Sequence, residues 1–311
     1  MTENLNKEAP ETKTAIKGWE HEKWVRECCG RNLFDIELIR KEYEETPRST
    51  DYYDDVKTAR AISPPLEDED IAAELQRPKL PDNQTDKTDW MIIPGTDKKF
   101  ITMPLPYIEQ LEQFWKMIYA NIDILHICMS ELENGQCKLE HMFPIFPPDY
   151  MEIGNKYRIK NANMGNCGRI GTWYLLDISL IDKVDRTNID KKRVIVYSWI
   201  WKMDTVPRET DYIMMSFEDH LRQSHCFVSN NNIGRAGSLS LLYCCHHLIT
   251  KCKSIKIVEL LKELRYQRPN IINKIEYYLT VYKGLAQWFE EKSENEAVVG
   301  KAKELVEKMD V

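Results

Sequence analysis

The sequence has no apolar run long enough to cross a bilayer, for which about 20 consecutive apolar residues are needed. Its first residues also lack the apolar core that a secretory signal requires, so we expect a cytoplasmic protein without a membrane span. The nine cysteines are odd in number and scattered, without the spacing of a small disulfide-rich domain. They favour a reducing compartment over a disulfide framework.

A basic surface is also lacking. Charged residues make up 30% of the chain and the net charge is −7, which disfavours nucleic acid as a partner because its phosphates require a basic stripe. One small basic pocket for a single phosphate group is still compatible with this charge. Hydrophobic residues make up 42% of the 311 residues, enough for the core of one large α/β domain, and no internal repeat is present.

The pattern of the chain divides it into three parts. Residues 1–18 are polar without periodicity, which indicates a flexible tail. Residues 19–290 carry the patterns of one domain, although 44–88 is an acidic, proline-containing stretch typical of loops. Residues 291–311 are charged, with spaced apolar residues, and are predicted to form a C-terminal helix or tail.

Apolar periodicity predicts the helices and strands of this domain. Helices are predicted over 19–43, 106–119, 210–223, 238–251, 256–266 and 273–289. Strands are predicted over 90–93, 100–103, 122–129, 156–159, 173–178, 194–199 and 226–228.

The most informative segment is a polar loop between a short apolar strand and a helix. It reads Ser229-Asn-Asn-Asn-Ile-Gly-Arg-Ala-Gly237. Backbone N–H groups of such a loop converge on one point, and the N-terminus of the following helix adds a positive end, so the loop is suited to an anion. Arg235 adds a forked pair of donors for two phosphate oxygens.

This segment resembles the phosphate loop of the protein tyrosine phosphatases, whose pattern is H-C-x5-R followed by a small residue and glycine. The cysteine of that pattern falls on Ser229 and the histidine on Val228. Six further family motifs occur in the family's order. They resemble its strand pair, F-W-x-M helix, E-x-G loop, mobile W-P-D-x-G-V-P loop, R-x-Q-R-P turn and glutamine loop, and lie at Trp90, Phe114, Glu133, Trp201, Arg265 and Tyr278.

The resemblance implies the family's fold, a central twisted mixed, mostly parallel sheet flanked by helices on both faces. The loop then lies at the carboxyl end of a central strand. Asn232 replaces a glycine of the family, and asparagine tolerates a positive φ better than most residues. The phosphate-binding residues implied are Ser229, Asn230, Asn231, Asn232, Ile233, Gly234 and Arg235.

The resemblance also implies that no catalytic residue is intact. The family's nucleophile is a thiolate, whereas a serine hydroxyl at Ser229 is far harder to deprotonate and has no adjacent imidazole as its base. Met203 aligns with the general-acid aspartate and has no proton to donate. Asn273 and Tyr277 stand where the family has the glutamines that position the attacking water. We therefore predict a pseudophosphatase rather than an enzyme.

Two residues leave a residual or altered phosphatase activity open as an alternative. Cys226 follows His225 in an H-C pair, but eight residues separate it from Arg235 where the loop needs five. We interpret Cys226 as a buried strand cysteine. Asp204 lies one position after Met203 and substitutes for the general acid only if its loop shifts register.

The family's segment that recognises phosphotyrosine is matched in part. Tyr53 and Asp55 match its ring-packing tyrosine and backbone-binding aspartate, although Asp51 and Tyr52 replace the Asn-Arg before them and Tyr53 could instead be an exposed loop aromatic. Glu133 matches the carboxylate that orients the loop arginine. The leading hypothesis is binding or shielding of a phosphotyrosine-containing protein, such as a tyrosine-phosphorylated kinase, without hydrolysis. The alternative is a scaffold that does not use the pocket, which Asn230 and Asn231 support if they fill it.

No cofactor and no metal site are predicted. Four potential ligands lie side by side on one predicted helix, where adjacent side chains point about 100° apart, so at most two of them can share an ion. They are Cys244, Cys245, His246 and His247.

Overall fold

The computed structural model describes residues 35–46, 90–129, 138–181, 188–230, 232–251, 255–293 and 296–310. At the centre is one eight-stranded sheet with the order β1-β2-β8-β3-β7-β6-β5-β4. In the described ranges, no helix is both long and apolar enough to span a bilayer. The strands are β1 Trp90–Ile92, β2 Lys99–Pro104, β3 Ile124–Met129, β4 Tyr150–Ile153, β5 Tyr157–Cys167, β6 Gly171–Ile181, β7 Asn188–Ile200 and β8 His225–Ser229.

Helices cover both faces of the sheet. They are α1 Ile36–Glu45, α2 Leu111–Asn121, α3 Leu139–Met142, α4 Asp211–Glu218, α5 Arg235–Thr250, α6 Ile257–Gln267, α7 Ile275–Lys292 and α8 Glu296–Met309. On one face, α2 buries Leu111, Phe114, Trp115 and Ile118 at the spacing of a single helix side. On the other, α5 is buried almost throughout and packs with α4, α6 and α7. The predicted mixed sheet with helices on both faces is confirmed.

The sheet is less parallel than expected, and this part of the prediction is corrected. The central pairings β2–β8, β3–β8 and β3–β7 are parallel, whereas the four outer pairings are antiparallel. Between β4 and β5 the chain reverses in a tight turn, in which Gly154 and Asn155 both have positive φ and the Lys156 N–H donates to the Ile153 carbonyl at 3.1 Å. The pattern of β4 is too short, at four residues, to be recognised from the sequence.

The carboxyl ends of β3, β7 and β8 meet at one edge of the sheet. In the parallel register Cys128 lies opposite Ser229, and Met129 lies opposite Ile200. The loop after β8 (residues 229–235, loop 229–235 below) and the chain after β7 (residues 201–207, segment 201–207 below) therefore leave the sheet side by side. This is the edge at which α/β sheets place their binding sites.

Candidate functional site

Loop 229–235 is enclosed by the protein, since each of its described residues is buried. Ser229 ends β8, and its Oγ accepts a hydrogen bond from the Ala236 N–H at 3.4 Å. The residue that the sequence predicts at the nucleophile position thus presents a buried hydroxyl to the first turn of α5. Val228, one residue earlier, packs into the core on the opposite face of the sheet.

Arg235 connects loop 229–235 with segment 201–207. Its Nη1 donates to the Trp201 carbonyl oxygen at 2.8 Å, and its Nη2 donates to Asn230 Oδ1 at 2.8 Å. The side chain is only 3% exposed. Both arms of the guanidinium fork are therefore engaged by neutral oxygen acceptors of the protein itself. The side chain of Asn230 takes part in filling the loop, as the scaffold alternative requires.

The backbone of loop 229–235 is shaped by two unusual positions. Asn232 has φ 60, in the left-handed region that asparagine tolerates, and its side-chain amide is buried with no hydrogen-bond partner among the described residues. A Cβ on Gly234 would lie 2.4 Å from Cε2 of Tyr277, so a larger residue there would displace the tyrosine ring. The Ile233 carbonyl accepts the Ile272 N–H at 2.9 Å, which ties the loop to the chain before α7.

Segment 201–207 contains Met203, which the sequence predicts to stand at the general-acid position of the resembled family. Met203 is 43% exposed. The neighbouring Asp204 has φ 55, and its carboxylate accepts from the Tyr277 hydroxyl at 2.8 Å and from Lys274 Nζ at 2.5 Å. The hydrogen bond from Lys274 is the main cause that lowers the pKa of Asp204. Asp204 is consequently a carboxylate at neutral pH, without the proton that a general acid must supply.

Tyr277, which the sequence predicts at one of the two glutamine positions, contacts both Gly234 in the loop and Asp204 in the segment. Burial, followed by the hydrogen bond to Asp204, raises its pKa to about 12, so the hydroxyl is neutral. Its ring meets that of Trp201 edge-on, with 6.2 Å between centroids. Asn273, at the other glutamine position, is exposed. Lys274 matches none of the family motifs, so its place in the site is recognised only from its contact with Asp204.

Two buried cysteines lie near Ser229 in the sheet. Cys226 is on β8, faces the α2 side, and has its pKa raised by burial. Cys128, in register with Ser229 on β3, has its pKa raised to about 12 by burial, with an opposing influence from Arg235. Both are thiols rather than thiolates at neutral pH. Cys128 is not singled out by the sequence, because only the strand register brings it beside Ser229.

Several predicted positions lie outside the described residues. These are Tyr53, Asp55, Asn231 and Glu133, and their roles stay predictions. The side chains of Cys244, Cys245, His246 and His247 are buried in α5. Within the described ranges, no three histidine, cysteine or acidic side chains come together in a way that could hold a metal ion.

Comparison with known proteins agrees with this architecture. The family model for protein-tyrosine phosphatase matches residues 71–287. A putative tyrosine-protein phosphatase of Caenorhabditis elegans, C15H7.3, is 25% identical over 226 residues, covering 68% of this chain and 52% of that protein. Human tyrosine-protein phosphatase non-receptor type 12 is 22% identical over 225 residues, covering 68% and 28%. The chain thus spans about half of the first relative and less of the second.

Solved structures show the same fold. PTPN18 in complex with HER2-pY1196 phosphopeptides superposes with a TM-score of 0.62 at 18% identity, covering 86% of this chain and 98% of that one. The catalytic domain of human PTPN18 superposes with a TM-score of 0.58 at 15% identity, covering 82% and 97%. With the family model matched over well more than half of its length, the chain belongs to the protein tyrosine phosphatase family.

Proposed function

We propose that this domain binds tyrosine-phosphorylated proteins without hydrolysing them. The observation that carries the proposal is the composition of loop 229–235, which keeps Arg235 at the head of α5 while a buried serine hydroxyl stands at the nucleophile position. An arginine fork at a helix N-terminus is suited to phosphate. A neutral hydroxyl at its centre adds no charge that repels the dianion, but it is a poor nucleophile.

The residues around loop 229–235 also favour binding without hydrolysis. Displacing a tyrosine leaving group requires a proton from a general acid, a contribution of about 10²–10⁴-fold. Met203 has no such proton, and Asp204 is kept ionised by Lys274. Cys226, the cysteine of the upstream H-C pair, is buried on the far face of the sheet. These features disfavour the alternative of residual activity through Cys226 or Asp204.

Phosphotyrosine is the ligand class that the family relationship supports. PTPN18, whose fold this chain shares, has been solved with HER2 phosphopeptides. A phosphate bound in loop 229–235 would compete with Asn230 Oδ1 for Arg235 Nη2. The exchange is favourable in principle, because a charge-assisted hydrogen bond is roughly twice as strong as one with a neutral acceptor. A tyrosine-phosphorylated kinase is one partner of this kind.

A second candidate, a scaffold that does not use the pocket, is supported by a specific contact. Asn230 already occupies one arm of Arg235, and the Trp201 carbonyl occupies the other. If these two hydrogen bonds of Arg235 are more stable than the bonds that a phosphate would form with it, the pocket stays closed to phosphate and partners bind elsewhere on the domain. The two candidates differ in whether affinity depends on Arg235.

The catalytic part is tested with p-nitrophenyl phosphate and a phosphotyrosine peptide. The purified chain is expected to show no turnover above that of Arg235→Lys, since neither nucleophile nor acid is present. Turnover by the wild-type chain that disappears in Arg235→Lys would contradict the proposal that the domain does not hydrolyse its ligand. Turnover that disappears in Cys226→Ser would instead establish the altered enzyme.

The binding part is tested by titration calorimetry with phosphotyrosine peptides and their unphosphorylated counterparts. Arg235→Ala should weaken binding about 30-fold or more, as expected when a buried charged partner is removed. Asn230→Ala should tighten it by about 10-fold, because the competing hydrogen bond to a charged group is gone. If neither wild type nor Asn230→Ala binds, the scaffold candidate replaces phosphotyrosine binding.

A further inference from the structure

We propose that Asp204, Tyr277 and Lys274, together called the clasp, hold segment 201–207 against loop 229–235 and so control access to Arg235. The consequence for access rests on the proposed binding of phosphotyrosine. Asp204 belongs to the segment, whereas Tyr277 and Lys274 belong to the start of α7 and the residue before it. The clasp therefore joins parts of the chain about 70 residues apart, as the sequence separation of its hydrogen bonds shows.

The geometry of the clasp is reciprocal. The Tyr277 hydroxyl donates to Asp204 Oδ1 at 2.8 Å and accepts the Asp204 backbone N–H at 3.2 Å. One hydroxyl thus satisfies both the side chain and the main chain of the same residue. The φ of 55 at Asp204 belongs to the left-handed region, which aspartate enters more readily than most residues. This conformation turns the N–H and the carboxylate toward the same hydroxyl.

Further contacts make the clasp act on the loop as well as on the segment. The ring of Tyr277 lies against Gly234, where a Cβ would approach within 2.4 Å. The Trp201 carbonyl accepts from Arg235, and the Trp201 indole donates to the Thr205 carbonyl at 2.8 Å. Release of Asp204 would leave the segment held at its start by the buried Trp201 and at its end by Val206 and the buried Pro207. Residues 202–205, which lie between these ends, could then move away from the loop.

Lys274 and Tyr277 differ in how strongly they hold segment 201–207 through Asp204. Lys274 and Asp204 have side chains 49% and 42% exposed, and ion pairs in such positions are weakened by solvent and salt. The Tyr277 side chain is buried, so its hydroxyl has no easy exchange with water. Loss of the tyrosine hydroxyl should accordingly free the segment more than loss of the lysine.

Hydrogen exchange measured by mass spectrometry on the full chain tests the clasp without any ligand. Amides 202–206 in Tyr277→Phe should exchange about 10-fold faster than in wild type, as expected for a net loss of about one to two hydrogen bonds. In Lys274→Met the same amides should exchange about 3-fold faster than in wild type, whereas in Lys274→Arg, which keeps the charge, they should exchange at the wild-type rate. Asp204→Gly, which accepts the positive φ, serves as a second variant that removes both carboxylate bonds of the clasp and keeps only the bond from the backbone N–H to Tyr277.

Matched controls remove equivalent groups elsewhere. Tyr266→Phe lacks an exposed hydroxyl on α6, and Lys262→Met breaks the exposed pair with Glu259. Both should leave the exchange of segment 201–207 unchanged. Equal exchange in wild type, Tyr277→Phe and Asp204→Gly would overturn the clasp.

Association kinetics with a phosphotyrosine peptide test control of access. If only the released state admits the ligand, association in Tyr277→Phe should be faster by about the same 10-fold as exchange. Faster exchange with unchanged association would overturn control of access. Faster exchange in a protein that binds no phosphotyrosine would support the clasp and contradict the proposed function, so the two failures are distinguishable.

Discussion

The folded protein is expected to lose most of its free energy of unfolding between about pH 6.5 and about pH 4.5, because three buried histidines stay neutral in the native state. They are His126, His225 and His246, each fully buried. For each unit by which the pH falls below about 6.5, each histidine should lower the free energy of unfolding by about 1.4 kcal/mol. The whole free energy of unfolding of a typical domain is about 5–15 kcal/mol.

The hydrogen bonds of His126 and His225 explain why they resist protonation. His225 Nε2 donates to the His220 carbonyl at 2.9 Å, so its Nδ1 is left to accept from His126 Nε2 at 3.1 Å. His126 Nδ1 in turn accepts from the Trp199 indole at 3.3 Å. An added proton on either ring would replace an acceptor by a donor facing another donor. Burial lowers the pKa of His126 well below its ordinary value and that of His225 to about 3.

His246 on α5 differs because, among the described residues, neither of its ring nitrogens has a hydrogen-bond partner. Its ring packs against Phe217 and Trp288. Burial lowers its pKa to about 3. The unfolded chain binds a proton near pH 6.5, whereas the folded chain does so only near pH 3. Stability is therefore retained above pH 6.5 and lost as the pH falls through this window.

His246→Leu isolates one of these contributions, since it removes a titrating ring without breaking a hydrogen bond to any described residue. Between about pH 6 and about pH 5, the free energy of unfolding measured with urea should fall with pH less steeply than in wild type, by about 1.4 kcal/mol per unit. Leu248→Ala, at a buried position on the same helix that carries no titrating group, is the control and should leave the slope unchanged. Parallel curves for wild type and His246→Leu would contradict the assignment.

Arg265→Ala is expected to lower the free energy of unfolding by about 4 kcal/mol, because three buried carbonyls lose a charged donor worth about 1.5–3 kcal/mol each before relaxation. Arg265 is 3% exposed. Its guanidinium donates to the carbonyl oxygens of Thr46, Ile271 and Ile272 at 3.2, 3.3 and 2.9 Å. It also lies over the ring of Tyr43, with 5.5 Å to the centroid.

This arginine supports the candidate site from a distance. It joins the end of α1 to the turn before α7, where Ile272 has φ 56 and donates its N–H to the Ile233 carbonyl in loop 229–235. Loss of Arg265 should thus also speed hydrogen exchange in the loop. Arg193→Ala, which breaks an exposed pair with Asp177, should change the free energy of unfolding very little, because solvent already screens that pair. Equal destabilisation by the two variants would show that Arg265 has no special role.

The sequence predicts the centre of the fold better than its periphery. Strands such as β3 and β8 are continuous apolar runs because both of their faces are covered, and such runs are easy to recognise. β5 and β7 are much longer than predicted, since their outer parts carry polar residues such as Asn163 and Lys191. Hydrogen bonding to neighbouring strands extends them, and this pairing is not encoded in local hydrophobicity.

The sequence alone determined the family, the position of loop 229–235 and the prediction that Ser229 and Met203 replace catalytic residues, because these depend on motifs in which spacing along the chain sets the geometry. Tertiary structure alone decided that Asn230 engages Arg235 and that Tyr277 and Lys274 hold Asp204. It also decided that Cys128 lies beside Ser229. The physical reason is that contacts beyond a single loop depend on strand register and helix packing, which bring together side chains that no local pattern relates.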